Sequence, residues 1–254
     1  MSDARPMPAP ILVEACVDSV ESALAAARGG AHRIELCANL IEGGTTPSAG
    51  TLAVCRARLD IPICVLVRPR GGDFLYSAAE LAVMHEDIAH AKEAGAHGIV
   101  TGVLRADGEI DAERTRELIA AARPLRVTFH RAFDVSRDAG RALETLIALG
   151  VDRVLTSGQA ATAPEGTETI AGLVRQAAGR IVVLPGGGIT VDNVADLVRA
   201  TGVTEVHLTG AVTHQSGMSF RAPEVTIGSP APRSEYEWSV TDAEQIRRVV
   251  AMLG

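Results

Sequence analysis

Glu14 with Cys16, and Glu35 with Cys37, repeat one small pattern: Glu-x-Cys closing a short apolar run, in "ILVEACVDS" and again in "HRIELCANL". Side chains two apart on a strand point to one side, so each pair would bring a carboxylate and a thiol to a common surface. Carboxylates move protons and thiolates hold soft metals, while plain packing is the bland alternative. The same alternation carried along the chain adds Arg68, His130 and His207. An unpaired buried carboxylate is costly, so Arg68 is the expected neutralising partner of Glu14 and Glu35. His130 titrates near neutrality when unperturbed. Glu14, Glu35, His130 and Arg68 are therefore the candidate catalytic groups, against the alternative of a polar plug with no chemistry.

A second set of residues suits an anion. "LPGGGIT" places Gly186, Gly187 and Gly188 after a β-run and ahead of a helix, where backbone N–H groups can approach a negatively charged ligand. Ser157 of "LTSG" adds a hydroxyl, and Arg70 of "RPRGGDFLYS" shares a face with Arg68. In "VTFHRAFD", Arg131 and Asp134 would orient His130 or bind an anion, unless they only brace their loop. "MHEDIAH" spaces His85 and His90 five apart, whereas a zinc helix needs four, so it reads as a solvated surface.

The metal reading centres on Cys16 and Cys37. Neighbouring parallel strands lie about 4.8 Å apart, so the two thiols can approach each other. A pair of thiolates suits Cu(I) better than a hard ion, with His130 or His207 to complete it. Two core cysteines are the competing reading, as they are for Cys55 and Cys64.

Such residues need a scaffold that gathers strand ends. β-branched runs at 11–16, 33–37, 63–68, 98–103, 126–131, 153–157, 181–185 and 205–209 alternate with Ala-rich amphipathic stretches. Those stretches lie near 19–29, 49–58, 79–94, 111–122, 138–149, 166–178, 190–201 and 241–253. Eight strand–helix units in 254 residues describe a single (β/α)8 barrel over 11–254, after a flexible lead-in at 1–10. No GxGxxG follows the first strand, which argues against an open dinucleotide-binding sheet. Long connections at 37–48 and 210–240 both follow strand ends, on the face where barrels keep their sites.

Composition removes several functions. A net charge of −7 with 3% aromatic residues disfavours nucleic-acid binding. No apolar run reaches a membrane-spanning length, the N-terminus lacks a signal-peptide core, and four cysteines without a CxxC fit a reducing cytoplasm. Lys92 is the only lysine and falls in a helical stretch, so Schiff-base chemistry is excluded. A homo-oligomer is expected, with a small anionic ligand or a copper ion as partner and no organic cofactor.

"VDSVESALAAARGGAHRIELCANLIEGGTTPS", "VRPRGGDFLYS", "TGVL", "VTFHRAFD", "VLTSG" and "PGGGIT" together resemble the CutC copper-homeostasis family, from about residue 11 to the end. The resemblance implies a cytoplasmic (β/α)8 barrel associated with copper tolerance, with Cys16 and Cys37 as Cu(I) ligands. "GAHR", "GAHG" and "HLTG" depart from the family pattern. The chain has no Met-rich tract or soft-ligand cluster of a dedicated carrier. The acids, imidazoles and arginines keep a second reading open, a metal-independent lyase or isomerase acting on a small phosphorylated or carboxylated metabolite.

Overall fold

Eight short runs pair side by side as parallel strands: β1 (Leu12–Val17), β2 (Arg33–Leu36), β3 (Ile63–Leu66), β4 (Gly98–Thr101), β5 (Arg126–Phe129), β6 (Arg153–Thr156), β7 (Val182–Pro185) and β8 (Glu205–Leu208). The computed structural model describes residues 10–225, 227 and 234–254, so most of the expected lead-in lies outside the described residues. Eight helices separate and follow the strands: α1 (Val20–Arg28), α2 (Ala49–Arg58), α3 (Ala78–Glu93), α4 (Ala112–Ala122), α5 (Ala139–Ala148), α6 (Thr167–Ala177), α7 (Val194–Thr201) and α8 (Ala243–Leu253). This is the (β/α)8 barrel, with strands flanked by helices and therefore apolar along most of their length.

The ladder runs from β7 through β6 down to β1 and on to β8. The last gap, between β7 and β8, is bridged at a single pair, Gly186 and His207. Glycine is required at that point. A Cβ on Gly186 would sit 2.6 Å from Leu155 Cδ1 and 3.0 Å from His207 Cδ2. Gly186 therefore serves barrel closure, which separates it from the other two glycines of its triplet.

The helices begin on short polar side chains that accept the exposed N–H groups of the first turn. Ser19, Ser48, Asp111, Asp138 and Asp242 do so, and Ser77 forms a reciprocal box with Glu80. Helix α7 starts at Val194, four residues later than the sequence pattern suggests, because 191–193 form a turn in which Asn193 accepts from the Thr190 N–H. The glycine triplet is thus a loop in its own right.

Both long connections have internal structure. Residues 37–48 fold back on themselves through an Ala38–Thr45 bridge and a turn at Leu40–Glu42. In the 210–240 stretch, β9 (Ala211–Gln215) and β10 (Glu237–Thr241) pair as an antiparallel hairpin, and the Trp238 and His214 rings meet at a tilt of 52° with centroids 4.7 Å apart. The hairpin is tied to the barrel by Thr241, whose N–H donates to Ser22 Oγ.

Candidate functional site

The alternation of β1, β2 and β8 sends a column of polar side chains into the barrel. At its base Arg33, only 5% exposed, bridges two carboxylates: its Nε donates to Glu14 and its Nη2 donates to Glu205 at 2.7 Å. Arg153 Nε also reaches Glu205, at 2.9 Å. Above Arg33, the other Glu14 oxygen meets His207 Nδ1 at 2.8 Å, and His207 Nε2 faces Glu35 at 3.6 Å. Cys16 and Cys37 cap the column, with their Sγ atoms 3.8 Å apart. Among the described residues, Cys16, Glu35 and Cys37 form a buried group able to surround one metal ion.

Charge in this column is strongly organised. Burial opposes ionisation of Glu14, but His207 and Arg33 outweigh it and hold the carboxyl at about 2. The bond to Cys37, aided by His207 against the cost of burial, lowers the Cys16 thiol to about 5. Burial and the charge on Cys16 push both Glu35 and Cys37 well up. Burial also resists charging His207, yet Cys16, Glu14 and Glu35 prevail and keep the imidazole protonated well above its ordinary range. The column thus favours charge on Cys16 and His207 and pushes the Glu35 carboxyl and the Cys37 thiol toward their neutral forms.

Arg68 does not pair with Glu14 or Glu35 as the sequence suggests. Its guanidinium donates to the carbonyls of Glu42, Gly44 and Gly72, at 2.8, 2.6 and 2.9 Å. Two of these carbonyls make it a clamp on the long β2–α2 connection and the third holds its own loop, while Phe74 packs on its flat face at 5.0 Å. Arg33 has the neutralising role instead. The signal for it was present: Arg33, Glu205 and Arg153 lie two residues before Glu35, His207 and Leu155, on the same strand faces.

The mouth holds two adjoining cavities. The inner one, about 180 Å³, is lined by Cys16, Glu35, Arg68, Phe74, His130 and His207, among others. The outer one, about 380 Å³, runs over Gly187, Gly188, Thr190, Thr209 and Gly210. Cys16, Gly43, Arg131 and His207 belong to both. Of the candidate residues, the structure brings Cys16, Glu35, Arg68, His130, Gly187 and Gly188 to this mouth. Cys37 lies directly behind Cys16, and Glu14 one level deeper. Arg70 is absent from both linings, and its donors are taken by Glu80, Asp73 and loop carbonyls. Ser157 is buried and holds Arg131 Nη2 at 2.7 Å, so it acts through that arginine.

His130 is buried against Gly102 and Phe74. Its Nδ1 accepts from the Ala132 N–H, and burial reinforced by the Arg68 charge depresses its pKa to about 3. The ring is thus a neutral donor through Nε2 at ordinary pH, which suits it to hold a ligand oxygen. Cys55 packs in the core, and Cys64, behind the column, is pushed by burial to about 12. Lys92 is used up on the carbonyls of Ala121 and Arg123.

The architecture and this column define a (β/α)8-barrel protein whose mouth combines paired thiols, a buried acid and an imidazole. The family model for CutC matches residues 11–212, and the chain belongs to the CutC family. It is 53% identical over 241 residues to the copper homeostasis protein cutC homolog of Mus musculus, a match spanning 95% of this chain and 89% of the mouse protein. A CutC family protein of Chromobacterium violaceum is 48% identical over 236 residues, spanning 93% of this chain and 95% of its own. Among solved structures, the copper homeostasis protein CutC of Streptococcus agalactiae superposes with a TM-score of 0.75 at 36% identity, covering 78% of this chain and 98% of that one. No helix among the described residues is long and apolar enough to cross a membrane.

Proposed function

We propose that this chain handles copper in the cytoplasm by holding Cu(I) between Cys16 and Cys37. One observation carries the reading: two buried thiols 3.8 Å apart at the open end of a barrel, in a chain of the CutC family. Soft sulfur donors favour Cu(I), and the copper ion is the cargo of the site. Cys16 is poised as a thiolate and needs no external base, while Cys37 would give up its proton on binding. Burial and the charge on Cys16 push the Glu35 carboxyl beside them toward its neutral form, which disfavours a hard divalent ion.

Anaerobic titration of the purified chain against a chromophoric Cu(I) chelator should show uptake of one equivalent. Cys16→Ser/Cys37→Ser should abolish it, and Cys55→Ser should not. Undiminished uptake by the double variant rejects these ligands.

A second reading is favoured by the acid–base set at the inner cavity, where His207 meets Glu14 at 2.8 Å and faces Glu35 at 3.6 Å. It would serve a metal-independent lyase or isomerase acting on a small phosphorylated or carboxylated metabolite, with Glu35 or His207 exchanging the proton. In deuterium oxide, a keto-phosphate substrate should gain deuterium on the carbon beside its carbonyl. Glu35→Gln should slow that exchange by about 100-fold or more. Equal exchange in the variant removes Glu35 from the chemistry.

A further inference from the structure

The mouth carries more hydrogen-bond donors than the protein itself can use. His130 is 5% exposed and presents Nε2–H, since Nδ1 is occupied as an acceptor, and this buried nitrogen has no partner among the described residues. A buried donor without an acceptor is costly, and a ligand oxygen would relieve that penalty. Arg68 Nε is likewise buried and unpartnered.

Just outside, Arg131 is aimed by two fixed contacts. Its Nε donates to Asp134 at 2.7 Å and its Nη2 to Ser157, while Asp134 is itself held by Thr156 and the Ser157 N–H. The remaining nitrogen, Nη1, lies 3.2 Å from the position a Gly187 Cβ would take. Gly187 and Gly188 both have positive φ, of 98° and 73°, and their N–H groups have no hydrogen-bond partner among the described residues. The missing Cβ at Gly187 keeps the space beside Arg131 open to a ligand. A guanidinium edge with two loop amides offers donors from several directions, which matches the oxygens of a phosphate group better than a flat carboxylate.

We propose that the two cavities form one binding site for a short organic phosphate monoester. Its phosphate rests on Arg131 and the Gly187–Gly188 loop, and an oxygen of its carbon skeleton accepts from His130 Nε2. Arg131 and His130 are positioned about the same opening, and the shared walls at Cys16 and His207 place the skeleton beside the acid–base column. The inference rests on the second reading above for the use made of the ligand, and on neither reading for its binding. It names the ligand's chemical class and the residues that select it.

Calorimetric titration of the metal-free full chain, in a phosphate-free buffer at constant ionic strength, tests this with inorganic phosphate and glycerol 3-phosphate. Glycerol 3-phosphate should bind at least tenfold more tightly than inorganic phosphate. Arg131→Gln should weaken both by tenfold or more, while His130→Phe should erase only the preference between them. Should that variant fail to melt cooperatively, His130→Gln takes its place. Absence of binding by either probe, equal affinity for the two, or unchanged binding by Arg131→Gln would overturn the site. Binding of glycerol 3-phosphate, with no deuterium exchange into a keto-phosphate, would keep the site and remove the enzyme. Both titrations are made without copper, so failure of the copper reading leaves this result intact.

Discussion

Arg33→Met is expected to destabilise the protein by ~3–5 kcal/mol, the range for removing one partner of a buried ion pair. Arg33 sits between Glu14 and Glu205, and all three are nearly inaccessible to water. Methionine fills a similar volume, so the loss would come from charge and hydrogen bonding rather than from a hole. Glu205 keeps Arg153, but Glu14 is left with His207 alone. Arg33→Met/Glu14→Gln should therefore recover part of the deficit, because the second change removes the stranded carboxylate. Arg33→Lys should fall between parent and Met, since an ammonium cannot fork to two carboxylates as a guanidinium does. Urea denaturation at pH 7 reads all three. A cost below about 1 kcal/mol for the Met variant, the scale of an exposed pair, would mean that the column is not held by this charge.

The second large effect is on pH dependence. His130 is neutral and buried, with its pKa depressed to about 3 by burial and then by Arg68. In the unfolded chain it titrates near 6.5. As pH falls below that value, the unfolded chain takes a proton that the native state refuses, so stability is present above about 6.5 and declines toward 3. One proton is worth about 1.4 kcal/mol per pH unit, or about 3 kcal/mol between pH 6.5 and 4.5. Other groups titrate in the same window, Glu35 with the opposite sign because its pKa is raised. The useful quantity is therefore the difference from His130→Phe, which cannot take up the proton. The parent curve should fall more steeply than the variant curve by that slope; parallel curves would show that the ring is not held neutral.

Most of the scaffold is legible in the residues. Runs such as "ICVLVR" and "EVHLT" read as strands from β-branched content, and each strand lies within a few residues of its expected limits. Alternation also brings Cys16, Glu35, His130 and His207 to one end. Pairing is harder to read, because alternation fixes a face and not a neighbour. Arg68 has the right face but lies beside the carbonyls of a neighbouring loop, which only the fold of 37–48 could reveal. The β9–β10 hairpin escaped for a related reason. β9 is exposed along its whole length, β10 is only five residues long, and the two are more than twenty residues apart in sequence. In the glycine triplet, one residue seals the sheet and two line the mouth, a division that composition cannot express.

The single bridge between Gly186 and His207 has one further consequence. In this cask seven joints carry two or more register pairs and the eighth a single bridge, and that narrow seam borders the opening at His207. Any guest gripping residues 187–188 on one stave while touching His207 on the other would act as a rivet across it.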